Sequence, residues 1–89
     1  MKPYFLEFID ASEREFLALP RVIQRRIKTK MEFYMQTEDP LVFAKRLEGA
    51  KNVFRFRIGD YRVIVTPKDK VTFVILVILK VAHRREVYE

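Results

Sequence analysis

Three arginines, Arg55, Arg57 and Arg62, and a single histidine, His83, are the side chains of this chain best suited to chemistry on a phosphate. A guanidinium stays charged at any working pH and offers a planar fork of N–H donors that fits phosphate oxygens. Imidazole is the one side chain whose ordinary pKa lies near neutrality, so His83 is the ready proton donor or acceptor. The arginines lie in Val53-Phe54-Arg55-Phe56-Arg57-Ile58-Gly59-Asp60-Tyr61-Arg62-Val63-Ile64-Val65. Its period of two predicts a β-hairpin, with Gly59 supplying the positive φ that a two-residue turn requires. Ile58 then lies opposite Tyr61, and Arg57 directly opposite Arg62. Phe54, Phe56, Ile58, Tyr61, Val63 and Val65 form an apolar face, and the three arginines gather on the other. Like charges facing each other across a ladder repel, so this face suits a polyanion.

The elements that hold these residues follow from pattern. Tyr4 to Ile9 reads as a short aromatic strand. Asp10, with Glu13 three residues later, has the form of a helix cap with a capping box, which predicts a short helix to about Leu19. Pro20 suits the first turn of a second helix, in which Val22, Ile23, Ile27, Met31, Tyr34 and Met35 recur at helical spacing, with Arg21, Arg25, Lys28 and Glu32 on the opposite side. Glu38 to Asn52 contains Pro40 and Gly49 and reads as an irregular connection with one helical turn near Leu41 to Ala44. After the hairpin, a turn at Pro67-Lys68-Asp69-Lys70 precedes a strand from Val71 to about Val81, apolar on both faces and therefore central. The expected fold is a single α+β domain over residues 1–89, an antiparallel sheet of about four strands packed against an N-terminal helical pair.

Composition narrows the function classes. About half the residues are apolar, with eight Phe and four Tyr but only two Gly, which argues for a packed core rather than disorder. The chain has no cysteine, hence no disulfide framework and no thiolate nucleophile, in keeping with a reducing cytoplasm. Glu7 and Asp10 interrupt the opening apolar run too early for a signal-peptide core, and Val71 to Leu79 is too short to span a bilayer as a helix. The net charge of +6 is unevenly placed: residues 1–39 carry seven basic and seven acidic groups, residues 40–89 eleven basic and five acidic. Such an imbalance is the electrostatic footprint of a phosphate-bearing partner.

The hairpin F-R-F-R-I-G-D-Y-R-V-I-V, the segment A-K-R-L-E-G from Ala44 to Gly49 and the terminal H-R-R-E-V-Y from His83 to Tyr88 stand in an order and spacing that resembles the RelE branch of the RelE/ParE toxin superfamily. Over essentially the whole chain, the resemblance implies the toxin of a type II toxin–antitoxin system. It implies a cytoplasmic prokaryotic endoribonuclease that cuts mRNA in the ribosomal A site, without a metal or other cofactor, through the ribose 2′-hydroxyl. The implied partners are a RelB-like antitoxin, mRNA and the ribosome with its 16S rRNA, and no membrane. The alternative within the superfamily is a non-catalytic ParE-like toxin that poisons DNA gyrase by contact, or a weakly active homologue.

Carried over residue by residue, the family's strand pair falls on Arg55 and Arg57, its hairpin arginine on Arg62, its position at the end of the last strand on His83 and its terminal tyrosine on Tyr88. Cleavage requires removal of the 2′-hydroxyl proton, stabilisation of a pentacovalent phosphorane and protonation of the leaving 5′-oxygen. Arg57 and Arg62 are assigned to the transition-state phosphate, His83 to proton transfer, and Tyr88 to stacking on an exposed base. Arg55, Lys45, Lys51, Arg84 and Arg85 are assigned to the RNA backbone. The general base stays open, because Arg57 cannot lose its proton where some relatives carry lysine; Glu86, Glu48, substrate-assisted proton transfer and a ribosomal RNA group are the alternatives.

Overall fold

Residues 4–69 and 74–86 are described in the computed structural model. The alternating segments become strands and the periodic ones helices, in the order β1 (Phe5–Phe8), α1 (Asp10–Leu17), α2 (Arg21–Met35), β2 (Lys45–Arg46), β3 (Phe54–Ile58), β4 (Tyr61–Pro67) and β5 (Ile75–His83). Short 3-10 turns cover Pro40–Phe43 and Arg84–Glu86. The strands form one sheet in the order β1-β5-β4-β3-β2. Neighbours are antiparallel except β1, which runs parallel to β5. β5 is an interior strand, between β1 and β4, in keeping with its apolar composition on both faces, but the middle strand is β4.

The sheet therefore has five strands rather than about four. The additional one, β2, is two residues long and lies in the segment expected to be irregular, where a period of two has no length in which to show. The helical turn expected near Leu41 is the 3-10 turn, opened by Asp39, whose Oδ1 accepts from the Leu41 N–H at 3.2 Å. Of the strand expected from Val71, residues 71–73 lie outside the described residues, as does Lys70 of the preceding turn.

α2 lies across one face of the sheet. Ile27, Met31, Tyr34 and Met35 pack there against Phe56, Ile58, Val63, Val65, Leu76, Ile78 and Val81. Val22, expected in the buried stripe, is exposed instead, because it stands about 100° around the helix from Ile23, which does reach the core. Pro20 is the residue that caps the helix rather than one within its first turn.

α1 starts differently from expectation. Its cap is Ile9, and the reciprocal bond comes from Ser12, not Glu13. Ser12 is fully buried; its Oγ accepts from the Ile9 N–H at 3.1 Å and donates to the Ile78 carbonyl of β5 at 2.6 Å. One turn on, Glu15 Oε1 accepts from the Val81 N–H at 3.0 Å, and its Oε2 pairs with Lys80 Nζ at 3.1 Å. β1 pairs with β5 only as far as Ile78, so α1 takes over the remaining strand edge and satisfies backbone groups that would otherwise stay open. Among the described residues, no helix is long and apolar enough to cross a membrane.

Candidate nucleic-acid interface

The site is built on the β3–β4 hairpin. Gly59, at the first position of the two-residue loop, has φ of 58°. A Cβ there would meet only the Arg26 guanidinium, at 3.9 Å, so it is the backbone conformation, not space, that calls for glycine. The register pairs Ile58 with Tyr61 and Arg57 with Arg62, as the sequence predicts. A two-residue loop makes Ile58–Tyr61 the hydrogen-bonded pair and Arg57–Arg62 the closer, non-hydrogen-bonded one, with Cα atoms about 4.5 Å apart.

The cross-strand pairs continue this face in two rows. One runs Lys45, Arg55, Ile64, Lys80 from β2 to β5; the other runs Arg57, Arg62, Ala82. Arg55 and Arg62 are 5% and 6% exposed, whereas Arg57 is open to solvent. Arg62 Nη1 donates to the Gly59 carbonyl at 3.2 Å and the Tyr61 carbonyl at 3.1 Å, which ties the guanidinium back onto the turn. Burial holds the Arg62 guanidinium below its ordinary pKa; Arg57, Arg55 and Arg84 lower it further and Asp60 opposes them. Arg55 is lowered by burial and then by Arg57. Both directions mean that the charged form is disfavoured by its surroundings, and a bound anion would reverse that.

The end of β5 is fastened to the hairpin tip. The Arg84 N–H donates to the Asp60 carbonyl at 2.7 Å, and Arg84 Nε lies 3.7 Å from Asp60 Oδ1. His83 pairs with Tyr61, their rings edge-to-face at 5.4 Å. Its Nδ1 accepts from the Arg85 N–H at 3.2 Å, so the neutral imidazole carries its proton on Nε2.

His83 stands on the helix-bearing face of the sheet, with Tyr61, Val63 and Val81, and not on the arginine face. A bulge explains this. Val65 pairs with Ile78 but Ile64 pairs with Lys80, leaving one extra residue in β5. Counting by twos from Leu76 and Ile78 would put His83 beside the arginines; the bulge inverts that parity. A ligand touching both must wrap around the end of the sheet.

The other expected residues are dispersed. Lys45 shares a row with Arg55, while Lys51, Arg84 and Arg85 are exposed in the loop before β3 and the turn after β5. Glu48 and Glu86 are exposed in these same segments. Tyr88 lies outside the described residues. Arg26 was missed: it approaches the hairpin from α2, and nothing in its sequence spacing marks it among the other basic residues of that helix. Among the described residues, no three His, Asp or Glu side chains come together where they could hold a metal ion.

The family model of the ParE toxin of type II toxin–antitoxin systems matches residues 6–88. Among solved structures, the chain is similar to one in the RelBE2 toxin–antitoxin complex of Mycobacterium tuberculosis, with 30% identity over 94% of each chain and a TM-score of 0.74. It is similar to one in the archaeal RelE–RelB complex of Pyrococcus horikoshii, with 25% identity over 94% of this chain and 98% of that one, at a TM-score of 0.70. The isolated RelE toxin of Escherichia coli shares the fold, with 19% identity over 90% of this chain and 83% of that one, at a TM-score of 0.68. No curated protein sequence matches significantly.

Proposed function

From the premise that the chain belongs to the ParE toxin family of type II toxin–antitoxin systems, we propose that it is a ribosome-dependent endoribonuclease that cuts mRNA in the A site. The observation that carries this reading is the arginine face, where exposed Arg57 stands directly opposite buried Arg62. The similarity to solved RelE toxins supports it. The 2′-oxygen attacks the adjacent phosphorus, the bond to the 5′-oxygen breaks, and a 2′,3′-cyclic phosphate and a 5′-hydroxyl result. Arg57 and Arg62 hold the non-bridging oxygens of the phosphorane, where preorganised cations act most strongly. Arg55, Lys45, Lys51, Arg84 and Arg85 hold the flanking backbone, and Tyr88 stacks on a base. His83, once protonated to the imidazolium and released from the Arg85 N–H, gives its Nε2 proton to the leaving oxygen from around the end of the sheet and returns to the neutral imidazole. The 2′-hydroxyl proton goes to Glu48, Glu86 or an RNA group, because a guanidinium cannot accept it. A RelB-like antitoxin, acidic and partly disordered, covers this basic face in the resting cytoplasm.

A second reading is a toxin that poisons DNA gyrase by binding. Two observations favour it: the matching family model is that of the ParE toxin, and His83 lies across the sheet from the arginines. Purified protein added to translating ribosomes decides between them. Cuts at codon-related positions are expected, with Arg62→Ala slowing them by about a hundredfold or more while circular dichroism stays native. Intact message beside inhibited gyrase would establish the second reading.

A further inference from the structure

A second cationic surface lies on α2, away from the arginine face of the sheet. With Ile27 and Met31 marking the buried line of the helix, Arg26, Lys30 and Phe33 share one shoulder of it, since each residue advances about 100°. Arg25, Arg26 and Lys30 line a shallow depression there. Beside it two phenyl rings lie open: Phe33 is 53% and Phe43 46% exposed, edge-to-face with centroids 6.2 Å apart. Lys30 Nζ lies 5.8 Å from the Phe33 centroid and 5.8 Å from that of Tyr34. Phe43 rests on Tyr34, which in turn stacks on fully buried Phe56, so the platform is rooted in the core. Phe33 is not part of that core, and packing alone leaves its exposure unexplained.

Exposed Val22 lines the depression and exposed Val42 adjoins Phe43. The group set directly against the rings is nevertheless the Lys30 ammonium, with Arg26 one turn before it on the same shoulder, and an apolar segment would leave both unpaired. Flat π-faces flanked by guanidinium and ammonium groups match one nucleotide unit, in which a base stacks and the adjoining phosphates pair with the cations. Arg26 connects this surface to the hairpin, with its Nη1 3.9 Å from where a Cβ on Gly59 would stand. We infer that Phe33 and Phe43, with Lys30 and Arg26, form a stacking subsite for an unpaired base of single-stranded RNA whose backbone continues from the hairpin tip. The inference rests on the proposed nuclease reading only for RNA as the polyanion.

The test is fluorescence-anisotropy binding of the full chain to a short single-stranded RNA and to an abasic strand of the same length. Both are 2′-O-methylated so that neither can be cut through its 2′-oxygen. The base-bearing strand should bind about tenfold more tightly, the order expected of one stacked base. Phe33→Ala should abolish that preference and leave abasic binding unchanged. Arg26→Gln combined with Lys30→Gln should weaken both strands and flatten the salt dependence. Equal affinity of the wild type for the two strands overturns the subsite, as does a Phe33→Ala variant that keeps the preference. Loss of binding to an acidic helical peptide, with RNA binding intact, would assign the surface to a protein and overturn it too. Cleavage of message on ribosomes, scored separately, tells a failure of this subsite from a failure of the nuclease reading.

Discussion

Arg57 and Arg62 face each other on the hairpin, with Arg55 two residues from Arg57 on the same side. Repulsion among these guanidinium groups disfavours the folded state, which gives a sign to test. Because burial and neighbouring cations lower the Arg62 pKa, the folded state holds that proton less tightly than the unfolded one. The penalty is therefore fully present at every pH below the folded pKa and eases only as strongly alkaline solution strips the proton. Arg57→Gln removes the exposed partner, so it should stabilise the free protein by about 0.5 kcal/mol. The gain should be flat from about pH 5 to about pH 9 and shrink at high salt. Urea unfolding at two salt concentrations measures it; a destabilised variant would mean that Arg57 makes contacts worth more than the repulsion. The Arg57–Arg62 pairing was legible because a two-residue turn and a period of two leave no other register. The position of His83 was not, since a single-residue bulge at Ile64/Val65 inverts the parity of β5 without altering its composition.

At the scale of elements, the least legible feature is how α1 completes the sheet. Asp10 and Glu13 have the local spacing of a cap, yet Ser12 takes the role because it alone is buried against β5, where its hydroxyl reaches Ile78. A contact across 66 residues outweighs a local preference, and no window along the chain contains it. Ser12→Ala should therefore cost about 1 kcal/mol in chemical denaturation, because it removes the closer of two donors to the Ile78 carbonyl and leaves only the Ile9 N–H at 3.4 Å. Glu15→Ala should act more locally: the Val81 amide loses its acceptor and its hydrogen exchange should quicken, while amides in the β3–β4 hairpin keep their protection. Unchanged exchange at Val81 would show that α1 lies against the edge without holding it. The helix α2 and the hairpin were legible for the opposite reason, since their burial follows periodicities carried within each segment. The two-residue β2 carries none.

Across the whole molecule, charge separates the two functional readings. Its uneven distribution was legible from counting alone, because the imbalance belongs to the second half of the chain whatever its fold. The fold adds that Arg57, Lys45, Lys51, Arg84 and Arg85 are open to solvent, whereas Arg55 and Arg62 are sequestered. If single-stranded RNA is the target, each exposed cation that meets a phosphate releases a condensed counterion. Five such contacts predict a slope of log affinity against log salt of about −3.5, at roughly 0.7 per phosphate. Arg57→Gln should make that slope shallower by about 0.7, and the change should be the same for strands of different sequence, since phosphate contacts carry no base information. A toxin that works by docking on a protein surface buries a mixed apolar and polar patch and has no such counterion term. Titrations at several salt concentrations thus weigh the two readings without an activity assay: a slope near zero, or one that Arg57→Gln leaves unaltered, would remove the hairpin from the RNA interface.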